Sequence, residues 1–170
     1  RLVPVASYSD LIRDGFLVPV ALLQPPKDLG NDLAIDPLEA WAKHSGGAQT
    51  FLCCARVSVA EELAERFRDN GVIAATIHAD TTSRERDDIM KRFRSKRVRV
   101  LTYVDTMTEG VDVPEATCMM LAKNFGSVGG YIQTVGRVLR PAAGKTHALV
   151  IDLCGATLRH GSDFIAICNY

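Results

Sequence analysis

Two arginines spaced three residues apart are the side chains of this sequence best suited to hold a phosphate group. The segment YIQTVGRVLRP (131–141) places Gln133, Arg137 and Arg140 within two turns of a predicted helix, with both guanidinium groups on one face. Arginine offers a planar fork of donors that matches phosphate oxygens, and its permanent charge can neutralise charge during phosphoryl transfer. Gly136 permits close approach of a ligand to the backbone. A solvated basic face has the same spacing, so that alternative stays open.

A second group of polar residues follows a predicted strand in VLTYVDTMTEGVDVP (100–114). Glu109, Gly110 and Asp112 cluster in the loop just before Pro114. A carboxylate at a strand end can accept a hydrogen bond from a ribose hydroxyl or hold an arginine in place. An ordinary acidic turn with glycine at a positive φ has the same composition, so this segment alone also leaves two interpretations open.

The alternation of short apolar segments with amphipathic ones predicts the scaffold that positions these residues. Five segments are predicted as strands: TFLCCA (50–55), VIAATI (72–77), RVRVLTYV (97–104), ATCMMLA (116–122) and HALVIDL (147–153). Because a parallel crossover needs a connection of helix length, we expect an α/β fold with a mostly parallel central sheet and helices on both faces. Ligands of such sheets bind beyond the carboxyl ends of the strands, which points to the loops 56–58, 78–82, 105–114 and 123–130.

Capping residues predict where the helices begin. Asp36 precedes a proline at the start of one helix, and capping-box patterns begin at Ser58 and Thr82. A further helix is expected over 131–139. The stretch before Asp36 contains a cluster of Pro, Gly and Asn, and we interpret it as a connector plus one strand.

Composition restricts the class of protein. Twenty basic and twenty acidic residues leave no net charge, so any contact with a polyanion has to be local. No run of eighteen apolar residues could span a bilayer and the first residues lack a signal-peptide pattern, so we expect a cytoplasmic protein without a membrane partner. The five cysteines lack C-x-x-C spacing and lie mostly in apolar runs, which predicts buried reduced thiols. His147 and His160 offer no metal spacing, and we expect no metal site.

Several segments together resemble the motifs of one family. TEGVDVP (108–114) followed by YIQTVGRVLRP resembles the fifth and sixth motifs of superfamily-two helicases and translocases, in their second RecA-like domain. TFLCCARVSVAEELAERF (50–67) is similar to the fourth motif and its following helix, and IHADTTSRERDDIMKRF (77–93) is similar to the next motif. The resemblance covers roughly residues 48–160, while SYSDLIRDGFLVPV (7–20) is similar to the leading segment of restriction-type and excision-repair-type members.

This resemblance implies a three-layer RecA-like fold and one half of an ATP-driven nucleic-acid motor. Arg137 and Arg140 would be arginine fingers that reach the γ-phosphate, with Gln133 beside the nucleotide. Glu109, Gly110 and Asp112 would link the nucleotide cleft to the nucleic-acid track, and Gly136 would lie at the nucleotide. Residues 1–47 would form a leading segment, connector and first helix packed on the domain, and residues 48–170 the helicase C-terminal RecA-like domain itself.

The resemblance also implies contacts with nucleic acid at Arg56 and His78, although a single histidine at a strand end can equally be structural. Val104 occupies the position where many members carry a threonine that touches a phosphate, and Thr102 or Thr106 could substitute for it.

The sixth motif departs from the DEAD-box form, H-R-I-G-R-x-G-R, because Gln133 and Thr134 occupy its first two places. This departure favours DNA over RNA as the nucleic acid.

Ala-Gly-Lys-Thr at 143–146 has the form of a P-loop end, but the full pattern needs a glycine where Leu139 stands. Gly-Lys-Thr here also precedes a strand instead of opening a helix, and the sequence contains no D-E-x-H or D-E-x-D run. We therefore expect ATP and Mg²⁺ to be held mainly by the first RecA-like domain of a longer chain, and this chain to be inactive alone.

Two alternative functions fit the sequence less well than the motor. A binding module with a degenerate helicase fold would have no reason to retain Gln133, Arg137 and Arg140 together. A nicotinamide-dependent oxidoreductase would need G-x-G-x-x-G after its first strand, whereas the loop after TFLCCA has no glycine and GSVGG (126–130) has the wrong spacing.

Overall fold

The computed structural model of the 170-residue chain describes residues 8–104 and 113–161. Its strands are β1 (Val20–Leu23), β2 (Thr50–Cys54), β3 (Ala74–Ile77), β4 (Val100–Tyr103), β5 (Cys118–Ala122) and β6 (Ala148–Asp152). They form one sheet in the order β1-β6-β5-β2-β4-β3, and every neighbouring pair is parallel. All carboxyl ends therefore lie at one edge of the sheet and all amino ends at the other.

Helices cover both faces of this sheet. They are α1 (Tyr8–Arg13), α2 (Pro37–His44), α3 (Val57–Asp69), α4 (Ser83–Arg94), α5 (Val128–Gly136) and α6 (Ala156–His160). Residues of α1, α4 and α5 pack in the apolar core on one face, and residues of α2 and α3 pack in the core on the other. The predicted three-layer α/β fold with a parallel central sheet is confirmed.

The central strands are buried along their whole length, because helices exclude water from both of their faces. Every residue of β2 and β5 is buried, which explains why the segments TFLCC and CMMLA read as continuous apolar runs instead of alternating patterns. The predicted burial of the thiols holds for Cys53, Cys54, Cys118 and Cys154, none of which is in a disulfide. Burial raises the pKa of Cys118 and Cys154 to about 12.

Two of the predicted helix starts are confirmed by their capping bonds. The Asp36 carboxylate accepts from the backbone amides of Leu38 and Glu39 at 3.0 and 3.1 Å. At the start of α4, the Thr82 hydroxyl accepts from the amide of Glu85, whose carboxylate accepts from the amide of Thr82. Each pair satisfies amide groups that have no partner inside the helix.

The regular part of α5 ends three residues earlier than predicted, at Gly136 instead of Leu139. Pro141 disfavours a helical conformation of the residue before it, so the chain cannot continue as an α-helix through Arg140. After Gly136 the chain continues in a 3₁₀-like turn. The amides of residues 137, 138 and 139 each donate to the carbonyl three residues earlier.

The connector between β1 and α2 covers the carboxyl ends of β5 and β6. The amides of Leu29 and Ala34 donate to the carbonyls of Cys154 and Leu153 at 2.7 and 2.8 Å. The Asn124 amide group, just after β5, donates to the Asp28 carboxylate at 2.8 Å and to the carbonyl of Gly30. The predicted boundary at residue 48 stays a prediction, since β1 and this connector are built into the same sheet and core.

The carboxylate of Asp152 organises the turn that follows β6. This buried side chain accepts the backbone amides of four consecutive residues and one hydroxyl: those of Cys154, Gly155, Ala156 and Thr157, and the hydroxyl of Thr157. Gly155 has a φ of +93°, and the backbone of Asp28 lies directly against it.

Among the described ranges, 8–104 and 113–161, no helix has both the length and the apolar character needed to cross a membrane. No cluster of three or more His, Cys, Asp or Glu side chains in these ranges is arranged to hold a metal ion.

We predict that Gly155→Ala is far more destabilising than Gly144→Ala. A Cβ at 155 would lie 2.6 Å from the Asp28 Cα and 2.9 Å from the Lys27 carbonyl oxygen, whereas a Cβ at 144 meets no heavy atom within 4 Å. Both glycines have positive φ, so Gly144→Ala measures the strain alone, about 1 kcal/mol. Gly155→Ala adds the backbone clash, for a total of about 3 kcal/mol. Urea unfolding of both variants checks this, and equal losses would contradict it.

Candidate nucleotide and nucleic-acid interface

Arg56 lies at the carboxyl edge of the sheet, where β2 ends and α3 begins. The predicted capping box at Ser58 is wrong: the helix starts at Val57, and Arg56 occupies the capping position without a side-chain hydrogen bond to the helix. The first turn of α3 also contains no acidic residue. Amide donors, the positive end of the helix dipole and an exposed guanidinium group therefore coincide here, an arrangement suited to an anion.

His78 follows β3 at the same edge but lies among carboxylates. Its Nε2 is 3.7 Å from Glu61 Oε1, and its Nδ1 is 3.7 Å from Asp80 Oδ2. The Nδ1 also accepts from the amide of Asp80 at 3.3 Å. A groove of about 880 Å³ beside it is lined by more carboxylates, including Glu65 and Asp88. The same groove is also lined by Arg68 and Arg84, and the nucleic-acid contact of His78 stays a prediction.

The prediction that Thr102 touches nucleic acid is contradicted by its burial. Thr102 is fully buried in β4, and its hydroxyl lies 2.8 Å from the Thr76 hydroxyl and donates to the Ala75 carbonyl at 3.3 Å. Period-two alternation points this side chain into the core between sheet and helix. The other site residues predicted in the following loop lie outside the described residues; they are Thr106, Glu109, Gly110 and Asp112.

Arg137 and Arg140 lie at the opposite edge. Helix α5 starts after the carboxyl end of β5 and runs back, so its last residues and the following turn reach the amino ends of the strands. The carbonyl of Leu139 accepts from the amide of Val18, just before β1, at 2.9 Å. Arg140 and Gln133 are exposed, and Arg137 is half-buried. The sheet therefore separates the two arginines from Arg56.

Arg137 is also close to the core through Tyr103, the last residue of β4. Burial raises the pKa of the Tyr103 hydroxyl well above its usual value, and the positive charge of Arg137 and a hydrogen bond with Thr134 partly oppose this rise. The surface beside Gly136 is open: a Cβ there would meet no described heavy atom within 4 Å. The turn that carries the arginines is thus anchored on the inside and accessible on the outside.

Lys145 of the Gly-Lys-Thr segment binds two backbone carbonyl groups. The sequence did not predict this contact. Its Nζ donates to the carbonyl oxygens of Pro114 and Ala116, both at 2.7 Å. The rejection of this segment as a phosphate site agrees with this geometry. Asp152 was missed as well, although an aspartate at a strand end with a threonine five residues later is a pattern that could have indicated a cap.

Six parallel strands in this order, covered by helices on both faces, define a RecA-like α/β domain. The C-terminal domain of the DEAD-box protein Dbp5 shares this fold with a TM-score of 0.62 and 16% identity, over 90% of this chain and 84% of that one. A fragment named as an HsdR subunit of a type I restriction enzyme from Vibrio vulnificus YJ016 shares it with a TM-score of 0.68 and 24% identity, over 91% and 36%.

Residues 33–142 match the family model of the helicase conserved C-terminal domain, and the chain belongs to this family. A 51.5 kDa protein of Lactococcus phage isolate 7-9 is 33% identical over 73% of the chain. A Schizosaccharomyces pombe protein named as the mitochondrial ATP-dependent helicase irc3 is 32% identical over 71%, and UvrABC system protein B of Anaplasma phagocytophilum is 29% identical over 81%. The assignment to the C-terminal domain of a superfamily-two helicase is confirmed.

The chain spans 27%, 20% and 22% of the lengths of these three relatives, respectively. It is therefore similar to only a part of each.

We predict that the free energy of unfolding of the wild-type chain, measured relative to that of a Lys145→Met variant, rises with pH. Burial lowers the pKa of Lys145 from 10.5 to about 8, and Glu115 partly opposes this. Between these two values the unfolded chain binds a proton that the folded chain has released, so the free energy of unfolding increases with pH across this window. Urea unfolding of both proteins at pH 7, 9 and 10 measures the difference in their free energies of unfolding. The titrations of all other groups are common to both proteins and cancel in this difference. A constant or falling difference would contradict the assigned burial of the ammonium group.

Proposed function

We propose that this chain is the second motor domain of an ATP-dependent superfamily-two nucleic-acid helicase or translocase. In this proposal Arg137 and Arg140 complete a site for ATP that is bound by the first RecA-like domain of the same full-length protein. The observation that carries it is the arginine-bearing turn: the matched family region contains both arginines, and they lie beside an open surface at Gly136.

Two contacts support the fixed position that this role requires of the turn. A finger contributes most in the transition state, where charge moves onto the transferred phosphoryl oxygens, so it has to be held in place before the reaction. The backbone bond between Val18 and Leu139 fixes the residue next to Arg140. The apolar side chains of Val135 and Val138 anchor the same turn in the core.

We assign the main binding of ATP and Mg²⁺ to the first domain. Phosphate binding by a P-loop lysine needs a free ammonium group at the start of a helix. Lys145 instead donates to two backbone carbonyls ahead of a strand. The part played by this chain is to neutralise charge, with Gln133 beside the nucleotide, and the chain is expected to be inactive alone.

The nucleic-acid track would follow the carboxyl edge. Arg56 and the start of α3 supply a phosphate contact there. The sequence resemblance still assigns four residues of the loop 105–112 to the track and its link with the nucleotide: Thr106, Glu109, Gly110 and Asp112. We favour DNA as the substrate because Gln133 and Thr134 depart from the DEAD-box motif. Buried cysteines that form no disulfide among the described residues also suit the reducing cytoplasm, to which we assign the protein.

We predict that Arg56→Ala weakens binding of this chain to a single-stranded oligonucleotide by several-fold. Removal of one phosphate interaction with a single strand reduces the slope of log affinity against log salt by about 0.7. Fluorescence anisotropy with labelled DNA and RNA of one sequence, at four salt concentrations, measures the affinity and the slope together. Arg94→Ala, which removes an exposed arginine at the end of α4, is the matched control. Identical slopes for the two variants would exclude Arg56 from the track.

We predict that Arg137→Ala or Arg140→Ala lowers the ATP turnover of the intact protein by about a thousandfold, with little effect on ATP binding. Arg140→Lys should rescue poorly, because lysine keeps the charge but loses the planar fork. Steady-state phosphate release gives the turnover, and equilibrium binding of a fluorescent ATP analogue gives the affinity.

The control for both substitutions is again Arg94→Ala. If the motif variants turn over like this control, the two arginines are a solvated basic face and the proposed function loses its chemical basis.

A further inference from the structure

Tyr8 in α1 bonds to the residue that holds the arginine-bearing turn. Its side chain is buried, and its hydroxyl donates to the backbone carbonyl of Val18 at 3.2 Å. The amide of Val18 donates in turn to the carbonyl of Leu139 at 2.9 Å, and Leu139 directly precedes Arg140. Two consecutive hydrogen bonds therefore connect the phenol group with the peptide unit that Leu139 shares with Arg140. We call these two bonds the tyrosine brace.

Val18 is a stiff link between the two bonds of the brace. It precedes Pro19, whose ring restricts the residue before it to extended conformations, and its own side chain branches at Cβ. That side chain is buried in the same apolar core as Tyr8 and Leu139. Because the backbone of Val18 has little freedom to rotate, the bond at its carbonyl helps to determine where its amide meets Leu139.

The chain on either side of Val18 is also fixed. The amides of Phe16 and Leu17 both donate to the carbonyl of Leu11, at 2.8 and 3.1 Å, which closes a turn after α1. Two residues beyond Val18, β1 begins and pairs with β6. All of these residues of the leading segment precede position 33, where the matched family region begins, whereas the arginine-bearing turn lies inside that region. The brace therefore joins a segment outside the family region to the turn inside it.

We propose that Tyr8 is a positioning residue for Arg140 and acts on it through Val18 and Leu139. This inference rests on the proposed function, in which Arg140 completes the site for ATP. Loss of the phenol hydroxyl takes a donor from a buried carbonyl, which is unfavourable, so the chain relaxes there and Leu139 loses its fixed partner. Because a finger contributes most in the transition state, the effect falls on turnover and not on ATP binding.

The test compares Tyr8→Phe with Thr76→Val in the intact protein. Tyr8→Phe removes the hydroxyl and keeps the buried ring. Thr76→Val, the matched control, also removes one hydroxyl, but in β3, at the far end of the sheet from β1. Tyr8→Phe should lower kcat by about tenfold, within the range in which small misplacements act. The KM for ATP should stay within about twofold of the native value, and Thr76→Val should turn over like the native protein.

Combination with Arg140→Ala separates positioning from a general effect on the fold. If Tyr8 acts through Arg140, Tyr8→Phe should cause no further loss of single-turnover phosphate release once Arg140 is replaced by alanine. An equal loss in both backgrounds would overturn the inference, because the hydroxyl would then support the fold as a whole. Native kcat in Tyr8→Phe, or failure of this variant to fold, would overturn it as well.

A second measurement does not depend on activity. Hydrogen exchange of the Val18 amide, the donor to Leu139, should quicken in Tyr8→Phe and stay slow in Thr76→Val. Unchanged exchange in Tyr8→Phe would show that the two bonds of the brace are independent and would overturn the inference. Native turnover by Arg140→Ala alone would instead contradict the proposed function itself, and the inference with it.

Discussion

Six strands that all run in one direction force each connection to cross from one edge of the sheet to the other. This constraint assigns the functional residues to two edges: Arg56 lies where β2 ends, and Arg140 lies where α5 has returned to the amino ends. The crossovers join the two edges, and the contacts at their ends determine where Arg56 and Arg140 lie.

Two polar side chains at the carboxyl ends of β5 and β6 bond to neighbouring segments of the chain. Asp152 accepts four amides of the turn after β6, and Asn124 binds the connector over β5. These contacts close the carboxyl edge on the side of β6. Arg56 and His78, by contrast, end strands in the other half of the sheet, where an uncapped helix and a groove lined by carboxylates meet solvent.

Patterns with a local cause were predictable from the sequence. The five predicted strand segments each contain a strand, and the caps at Asp36 and Thr82 follow from side chains within three residues of the amides they accept. The predicted capping box at Ser58 was wrong because the helix begins one residue earlier, at Val57, where no side chain caps it. The predicted nucleic-acid contact of Thr102 was wrong because this polar side chain lies in an apolar strand and is buried there.

Contacts between distant segments carry no local signal. Nothing near Lys145 indicates that Pro114 and Ala116 present their carbonyls to it, since this depends on how two crossovers end beside each other. The two-edge arrangement of Arg56 and Arg140 likewise needed the strand order. The roles of the arginines in turnover stay predictions, since they depend on a nucleotide and a second domain.

The pairing of the first strand with the last has a consequence for how the domain is made. Leu22 in β1 lies beside Val150 in β6, at opposite ends of the described chain. Contacts this distant in sequence form slowly, because a long loop has to close before they contribute. On a ribosome, β1 leaves the exit tunnel early and waits with its apolar side chains unprotected until β6 has emerged. Completion of the sheet is therefore a late event of synthesis, and during the wait the nascent chain presents an apolar strand that a chaperone could bind.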